Sequence, residues 1–499
     1  MKILLIDTQF NTARKNDPPR VYLSQAQLFL ATSLNKNGFQ VSVYDPKVSC
    51  KKNFNKELGI FYVGDSFDEI EERVRQEKPD MVGITNLFSK DFNNAVEIAS
   101  RVKKVNPGIK TIVGGFHSTL APEDFLKYSV FDFAVMGEGE RTVVEIAKEI
   151  EKQNHLFDIE GLAYRNSEKI IIKNKPGLRI SSLDDLGFPD YSLVNLEKYF
   201  KINSKGLGAR PLSGGQRSIS VITSRGCPYK CFFCNANKIH GYKFRFYSAK
   251  VILAHIHRLI NEYKIDYIEF EDDNLSFNRT RFKEIVKGLC DLEKRIKWGT
   301  PNGVRADTLL DRDLIKLVKK SGCEYITVGV ESGNQEFLNR VIKKRLDLKH
   351  VVELASLSKE EGLPMNAFFI IGFPHEKLWQ IRETLEFAMM LNKKYDVYPF
   401  INFAIPIKGT EMYDECVKNG FLTEEITPKS LVESASFRGS GKIITSEFTP
   451  ESLSGLMEEF NKHIFRNSLI KGIRNPLMGF RFAKSALRNF SHFKRYVLG

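Results

Sequence analysis

Three of the seven cysteines, Cys227, Cys231 and Cys234, lie within eight residues of one another, and the other four are scattered singly. A short loop with thiolates at C-x3-C-x2-C spacing can place its sulfurs around one soft metal centre, and thiolates are the ligands that hold iron–sulfur clusters. Three ligands are one fewer than a cubane accepts, so one iron would stay open to another molecule. The spacing therefore favours a cluster that takes part in chemistry.

A zinc site, a disulfide and chance clustering each account less well for the three cysteines. A structural zinc site usually has a fourth Cys or His at matching spacing, and the nearest candidate here is His240. A disulfide is disfavoured because three close cysteines leave one unpaired and because a reducing compartment is expected. Chance clustering of three core cysteines in a polar loop is the weakest of the three.

The loop resembles the cluster loop of the radical S-adenosylmethionine (SAM) superfamily, whose signature C-x3-C-x-aromatic-C is matched by Cys227, Cys231, Phe233 and Cys234. The resemblance implies a [4Fe-4S] cluster held by the three cysteines, with SAM bound to the open iron and Phe233 among the SAM-binding residues. Reduction then cleaves SAM to a 5′-deoxyadenosyl radical. Pro228 and the neighbouring aromatic residues are expected to shield the cluster from water, and such burial helps to set its potential.

Three adjacent acids, Glu271, Asp272 and Asp273, end a predicted strand. Adjacent carboxylates repel one another, so an inward-facing set needs a cation to balance it. In the superfamily this strand end receives the amino group of SAM, and the resemblance assigns the three acids to that neighbourhood. The alternative is a solvated acidic turn that caps the helix near Arg279.

Further predicted strand ends resemble the rest of the SAM site. The resemblance implies that Arg305 and Glu331 face the SAM carboxylate and ribose, and that Gly372 and Glu376 belong to the stretch that backs the adenine. Taken alone, Glu331 could simply cap the helix that follows. The closing loop, usually P-x-P-G-T, carries Lys408 in place of its second proline.

These motifs lie on a predicted partial (β/α)6 TIM-like barrel over residues 216–415, because strands and helices alternate from Ser218 onward. In such barrels the active residues come from the carboxyl ends of the strands, where all the motifs fall. The predicted strands are 218–223, 266–271, 301–304, 324–330, 365–371 and 396–404.

Residues 1–153 alternate strands and helices in the same way and predict a flavodoxin-like, doubly wound parallel sheet, whose ligands bind beyond the carboxyl ends of the strands. This half resembles the cobalamin-binding domain that precedes the barrel in one radical SAM class. The resemblance implies cobalamin contacts at three predicted strand ends, from Thr85, Asn86, Gly114, Gly115, Gly137 and Glu138.

The loop that gives cobalt its lower histidine in many cobalamin proteins, D-x-H-x-x-G, is absent after the first strand, where residues 7–11 read Asp-Thr-Gln-Phe-Asn. Members of this class often lack that histidine. Cobalamin could therefore bind without a protein ligand below, or the domain could be vestigial. His117 is more often a satisfied loop histidine than a metal ligand.

The remaining segments differ from both units. Residues 154–215 are rich in glycine and proline and predict a connector with a hairpin at 161–173. Residues 416–499 predict a helical, basic region with an amphipathic helix at 451–466. Eight basic and no acidic residues lie between 466 and 499, in a chain of net charge +14. This tail favours an anionic partner or a membrane surface, and a helix docked on the barrel with its bases outward is an equal alternative.

No run of eighteen apolar residues occurs, and the first predicted strand is too short for a signal peptide. We therefore expect a cytoplasmic protein, peripheral at a membrane if the tail binds one.

The resemblance predicts a radical SAM enzyme that performs cobalamin-dependent methylation of an unactivated carbon. Radical cyclisation, oxidation or rearrangement without methyl transfer is the first alternative, and a non-catalytic iron–sulfur electron-transfer or binding module is the second. The expected partners are a small-molecule or lipid substrate and an external one-electron reductant of flavodoxin or ferredoxin type. Nucleic acid is disfavoured because no recognition motif supports it. The RNA-modifying methylthiotransferase relatives are disfavoured as well, because they carry further cluster cysteines in their first domain, where this chain has Cys50 alone.

Overall fold

The computed structural model describes residues 1–17, 19–153, 158–207, 217–434 and 441–474, with side chains described through residue 467. Two large sheets follow one another along the chain, of seven and six strands. The predicted fold class is confirmed, since a doubly wound α/β unit precedes a partial barrel.

The first sheet has the order β10-β9-β8-β7-β6-β1-β3, with β1, β3, β6, β7 and β8 parallel. The strands up to the connector are β1 Lys2–Asp7, β2 Phe10–Thr12, β3 Gln40–Tyr44, β4 Lys52–Asn55, β5 Ile60–Val63, β6 Met81–Thr85, β7 Lys110–Gly114, β8 Phe133–Val135, β9 Leu162–Arg165 and β10 Ile171–Lys173. The helices are α1 Gln25–Lys36, α2 Phe67–Glu77, α3 Phe92–Val105, α4 Phe116–Leu120, α5 Pro122–Leu126 and α6 Gly139–Glu151.

This sheet is buried on both faces, which explains its nearly continuous apolar strands. In β1, Leu4 and Ile6 belong to a core shared with α2 and α3, whereas Ile3 and Leu5 belong to a core shared with α1 and α6. A parallel sheet covered by helices on both sides leaves its carboxyl strand ends free for ligands.

The predicted hairpin at 161–173 belongs to the first sheet, although the sequence placed it in the connector. Its first strand β9 pairs antiparallel with β8, and β10 pairs with β9. Leu162 and Ala163 are fully buried, so the hairpin completes the hydrophobic core of the sheet edge. A small antiparallel sheet, β2-β5-β4, was not predicted, because strands of three or four residues carry little periodic signal.

The second sheet has the order β11-β14-β15-β16-β17-β18, all parallel. Its strands, with the short pair β12-β13, are β11 Ser218–Val221, β12 Ser224–Arg225, β13 Arg245–Phe246, β14 Tyr267–Phe270, β15 Lys297–Gly299, β16 Cys323–Glu331, β17 Met365–Ile371 and β18 Tyr398–Phe403. The connector carries α7 Leu183–Leu186 and α8 Leu196–Ser204, and the barrel carries α9 Ala236–His240, α10 Ala249–Tyr263, α11 Arg279–Cys290, α12 Arg312–Lys320, α13 Gln335–Arg340, α14 Leu348–Glu360, α15 Leu378–Tyr395 and α16 Glu411–Lys418.

The predicted strand at 301–304 is wrong. The strand is β15, a few residues earlier, where Trp298 is fully buried with its ring against Phe270 and Phe282. Pro301 has no N–H for a ladder, and of the predicted segment Val304 makes an isolated bridge to Val328. Burial of the large Trp298 indole in the barrel core therefore determines where β15 lies in the sequence.

The C-terminal region carries α17 Pro428–Ser434 and α18 Pro450–Arg474. Helix α17 packs against β2 and the short 3-10 segment Ser89–Asp91 of the first unit. Helix α18 packs on α15 and adds Leu453, Phe460 and Ile464 to the barrel core. Among the described residues, no helix combines the length and the apolar character that crossing a membrane requires, and the basic tail beyond 474 lies outside those residues.

Candidate functional site

The cysteine loop follows β12 at the carboxyl end of the first barrel strand. Gly226 has φ +90°, and a Cβ there would lie 2.4 Å from the carbonyl oxygen of Lys243, so the chain turns tightly just before Cys227. Burial raises the pKa of Cys227 and Cys231 and raises that of Cys234 to about 12, with smaller contributions from neighbouring cysteines at Cys231 and Cys234 and from Asp273 at Cys227. Three neutral thiols that share one half-buried site are suited to a soft metal centre, which displaces their protons on binding.

The donor set consists of three free thiols in one loop, which suits an iron–sulfur cluster. Within the described residues no group of three His, Cys, Asp or Glu side chains converges on one metal position. In a cubane each thiolate binds a different iron, so the sulfurs need not converge on a point. An apolar cover is also present, since the rings of Phe232 and Phe233 lie 5.6 and 5.7 Å from that of Phe373.

Two cations lie beside the loop, the buried Arg305 and the largely buried Lys344. Arg305 donates to the backbone carbonyls of Lys344 and Arg345 at 3.0 and 2.7 Å and to the Asp307 carboxylate, and its guanidinium lies 3.8 Å from the centre of the Tyr229 ring. These contacts fix the Arg305 side chain below the cysteine loop.

Lys344 was missed from the sequence, although it stands in the basic run that follows α13. Its ammonium donates to Glu331 Oε1 at 2.6 Å. Burial alone would lower its pKa, but Glu331 and Cys231 outweigh burial and raise it, so the ammonium stays charged. Glu331 is the last residue of β16 and has φ +72°.

The three adjacent acids point to different surroundings. Asp272 is buried and accepts from Thr223 N and Thr223 Oγ1 at 3.0 and 2.8 Å, which joins β14 to the chain after β11. Glu271 accepts from Ser220 Oγ at 3.1 Å, and Asp273 is exposed near Cys227. The SAM-binding roles of all three remain predictions, and the contacts of Asp272 describe a structural role.

Glu376 is fully buried within its own loop. Its Oε2 accepts from Gly372 N at 2.7 Å and from Phe373 N at 3.1 Å, and burial raises its pKa to about 8. Gly372 has φ +78°, which the turn requires. The SAM-binding role predicted for Gly372 and Glu376 remains a prediction.

The carboxyl ends of β6 and β7 form a cradle in the first unit. Asn86 is fully buried, follows Thr85, and neither its amide nitrogen nor its amide oxygen has a hydrogen-bond partner in the described residues. Gly115 has φ +125°, and a Cβ there would lie 2.1 Å from the Asn86 carbonyl oxygen. A buried amide without partners next to Gly114 and Gly115 fits a polar ligand that the fold receives at this edge, as cobalamin would be.

The loop before α6 is fastened to the barrel. Glu138 accepts from Arg245 Nη1 and Nη2 at 2.9 and 2.5 Å and from the backbone N–H of Ile180 at 3.2 Å, and it lies 3.1 Å from His240 Nδ1. Arg225, two residues before Cys227, donates to Glu140 at 2.6 Å. Burial opposes ionisation of Glu138, but Arg245, His240 and Arg225 hold its pKa well below the usual range.

We name this set, Glu138, Glu140, Arg225 and Arg245, the interdomain clamp. It joins the first unit to both flanks of the cysteine loop. We propose that Glu138, which the sequence assigned to cobalamin, acts through this clamp. Gly137 has φ +82° and donates its N–H to Thr119 Oγ1 at 2.9 Å.

A second connection uses the unexpected lysine of the closing loop. Lys408 Nζ donates to Asp124 Oδ1 and Oδ2 at 2.7 and 2.9 Å, and Asp124 Oδ2 lies 3.0 Å from His117 Nε2. Lysine at this position therefore ties the barrel to α5 of the first unit. Helix α4 also contacts α9, so the edge that carries Gly115 meets the helix that follows Cys234.

Two family models match the chain. A B12 binding domain matches residues 25–147, and the radical SAM superfamily matches residues 221–388. The first match covers the α/β unit, and the second covers most of the partial barrel.

Individual relatives agree with these matches. Cytidylyl-2-hydroxyethylphosphonate methyltransferase of Streptomyces wedmorensis is 28% identical over 454 residues, covering 85% of this chain and 83% of the relative. Anaerobic magnesium-protoporphyrin IX monomethyl ester cyclase of Rubrivivax gelatinosus is 25% identical over 377 residues, covering 73% and 65%.

The fold is shared with solved structures. The radical SAM methyltransferase TsrM of Kitasatospora setae matches with a TM-score of 0.68 and 16% identity over 93% of this chain and 88% of that chain. The cobalamin-dependent SAM radical enzyme OxsB matches with a TM-score of 0.65 and 18% identity over 92% and 61%.

Proposed function

We propose that the chain is a radical SAM enzyme with an N-terminal B12-binding domain and that it transfers a methyl group to an unactivated carbon of a small-molecule substrate. Its cofactors are a [4Fe-4S] cluster, SAM and cobalamin. When bound, SAM on the reduced cluster supplies the radical that removes a hydrogen atom, and cobalamin supplies the methyl group.

The residues of the chain bind and orient these groups. Cys227, Cys231 and Cys234 hold the cluster, and Phe233 with Phe373 excludes water from it. Lys344 and its partner Glu331 keep a charged group beside Cys231. On the other side, Asn86 offers a buried amide to cobalamin.

The observation that carries this proposal is the attachment of the two cofactor edges to each other. Helix α4 contacts α9, and the clamp joins Glu138 to Arg245 at 2.5 Å on the flank of the cysteine loop. Methyl transfer requires the methyl donor and the substrate radical to approach in a fixed geometry. A buried, charged connection between the two edges supports such a geometry.

The test is anaerobic turnover with methyl-labelled SAM after reconstitution with iron, sulfide and hydroxocobalamin. An absorption spectrum with metal analysis reports iron, cobalt and corrin together. We expect label in the product and formation of 5′-deoxyadenosine. Retention of a cluster without cobalt after the supply of hydroxocobalamin would reject the methyltransferase proposal.

A second candidate function is radical cyclisation or oxidation without methyl transfer. It is favoured by the relative from Rubrivivax gelatinosus, whose name describes a cyclase. The same experiment separates the two functions, because a cyclase forms 5′-deoxyadenosine but leaves the product unlabelled.

A small-molecule substrate and a reductant are typical of radical SAM enzymes, and we propose a phosphorylated or lipid substrate for this one. The relative from Streptomyces wedmorensis is named for a cytidylylated phosphonate, and the segment 466–499 has eight basic and no acidic residues. We also propose that the protein is cytoplasmic and touches membranes through this segment. Deletion of 467–499 should weaken binding to anionic liposomes and leave SAM cleavage intact. Unchanged liposome binding would reject the membrane contact.

A further inference from the structure

We propose that an aromatic and basic surface beside the cysteine loop is the docking site of an acidic one-electron donor protein of flavodoxin type. The proposal rests on the radical SAM function given above. In the transfer, the reduced donor loses one electron and the iron–sulfur cluster gains it. We name this surface the donor patch, and it consists of Tyr229, Lys230, Tyr242, Lys243, Phe244, Phe246 and Phe277.

Three aromatic side chains of the patch are exposed, and four of its rings form a chain of contacts. Tyr242, Phe246 and Phe277 are exposed by 48%, 40% and 37%. The ring of Phe277 lies 5.0 Å from that of Phe244 and 6.3 Å from that of Tyr229, and Phe244 lies 5.6 Å from Phe246. Contiguous exposed aromatic rings are rare on isolated proteins and are enriched at protein interfaces.

The segment that carries most of the patch has basic residues and no acidic ones. Between residues 225 and 250 there are six Arg and Lys residues and no Asp or Glu. The two arginines are buried in the interdomain clamp, whereas the four lysines are exposed. Lys230 lies 5.4 Å from the centre of the Tyr242 ring, so its charge belongs to the aromatic surface. Asp273 is the exposed carboxylate near Cys227.

The patch lies on a short route to the cluster ligands. Tyr229 stands between Cys227 and Cys231 in the loop, and its ring packs on Arg305 at 3.8 Å and faces Phe277. A protein docked on Phe277 and Tyr242 would therefore lie close to the ligands themselves. Electron donors that meet many partners use small, charged interfaces, which suits a patch of this composition.

The positive charge of the donor patch favours an acidic donor protein over a second copy of the chain as its partner. In a two-fold dimer through the patch, lysines would face lysines, and like charges across an interface oppose association. An acidic donor offers the complementary charge. A donor that docks here should bind more weakly as salt rises.

The test compares two double charge reversals in the reconstituted holoenzyme. Lys230→Glu with Lys243→Glu alters the patch, and Lys56→Glu with Lys110→Glu makes the same charge change at exposed lysines of the first unit. The probe is a recombinant flavodoxin. Its affinity is measured by titration at low and high salt, and its electron delivery by 5′-deoxyadenosine formation, with dithionite as a donor that needs no docking.

We expect the patch variant to bind flavodoxin about tenfold more weakly at low salt and to cleave SAM normally with dithionite. The control variant should bind as the unaltered protein does. A second variant, Tyr242→Ser with Phe277→Ser, should weaken binding at both salt concentrations, because it removes apolar contact.

Equal affinity of the patch variant and the unaltered protein would overturn the docking site, as would an equal loss in the control. A patch variant that forms dimers while the unaltered protein does not would also contradict it. Absence of SAM cleavage with dithionite in the unaltered protein rejects the enzymatic function instead, and the titration still decides whether the patch binds the donor.

Discussion

Replacement of Glu138 by glutamine removes the central charge of the interdomain clamp. The side chain of Glu138 is 2% exposed and that of Arg245 is 4% exposed, so the variant leaves a buried guanidinium without its counter-ion. Removing one partner of a buried ion pair destabilises a protein by about 3–5 kcal/mol. That is a large part of the total stability of a typical protein, about 5–15 kcal/mol.

The assay is urea unfolding followed by the fluorescence of the two tryptophans, of which Trp298 lies in the barrel core and Trp379 is exposed. We expect the midpoint for Glu138→Gln to fall by about 1 M or more. The matched control is Glu145→Gln on α6, the helix that begins after Glu138, where the side chain is 46% exposed and should change stability by less than about 0.5 kcal/mol.

The sign of the pH dependence follows from the lowered pKa of Glu138. Its charge stabilises the folded protein fully above the usual glutamate pKa of 4.5, and this contribution is lost as the pH falls through the folded-state value. The difference between Glu138→Gln and the unaltered protein should therefore be constant from about pH 6 to 8 and shrink in acid. An equal midpoint for the two proteins at pH 7 would refute the clamp as a stabilising contact.

Two further predictions concern single residues. Gly115→Ala should reduce the corrin retained after incubation with hydroxocobalamin, because a Cβ 2.1 Å from the Asn86 carbonyl oxygen forces the cradle residues apart. The control is Gly108→Ala, before the start of β7. Equal corrin retention by the two variants would contradict the proposed cobalamin cradle. Glu376 has a pKa raised from 4.5 to about 8, so the stability from its neutral form is present below pH 4.5 and is lost as the pH rises through about 8. Glu376→Gln should therefore be the more stable protein at pH 9, by up to about 5 kcal/mol, and an unchanged pH slope in thermal unfolding would contradict this.

The periodic elements and the cysteine motif could be predicted from the sequence because each depends on nearby residues. The helix at 67–77 and the strand at 365–371 have the predicted bounds. Partners distant in the chain could not be predicted: the bond from Arg245 to Glu138 spans 107 residues, and the one from Lys408 to Asp124 spans 284. From the sequence alone, a charged residue at a strand end predicts a ligand site. The partner that the residue contacts in the structure depends on how the two sheets meet.

Asp7 lies at the end of β1, where many cobalamin proteins have the D-x-H-x-x-G loop, and in this chain it takes part in an ion pair. Lys47, buried at 1% side-chain exposure, donates to Asp7 Oδ2 at 2.5 Å and lies 3.0 Å from Asp45 Oδ1, which ties the end of β1 to the segment after β3. Burial raises the pKa of Asp7 to about 6 despite the ammonium group, and Tyr199 of the connector donates to Asp45 at 2.9 Å. Asp7 therefore contributes to a buried polar contact between the first unit and the connector.

Three attachments consequently fix the orientation of the two units: the clamp at Glu138, the Lys408–Asp124 pair, and α17 on β2. Each lies at or near the carboxyl strand ends, where ligands bind in both folds. Loss of the clamp in Glu138→Gln leaves the other two in place, so the units should stay together while the flanks of the cysteine loop loosen. The variant should therefore lose methyl transfer more than it loses SAM cleavage, since only methyl transfer depends on the distance between the two cofactor edges.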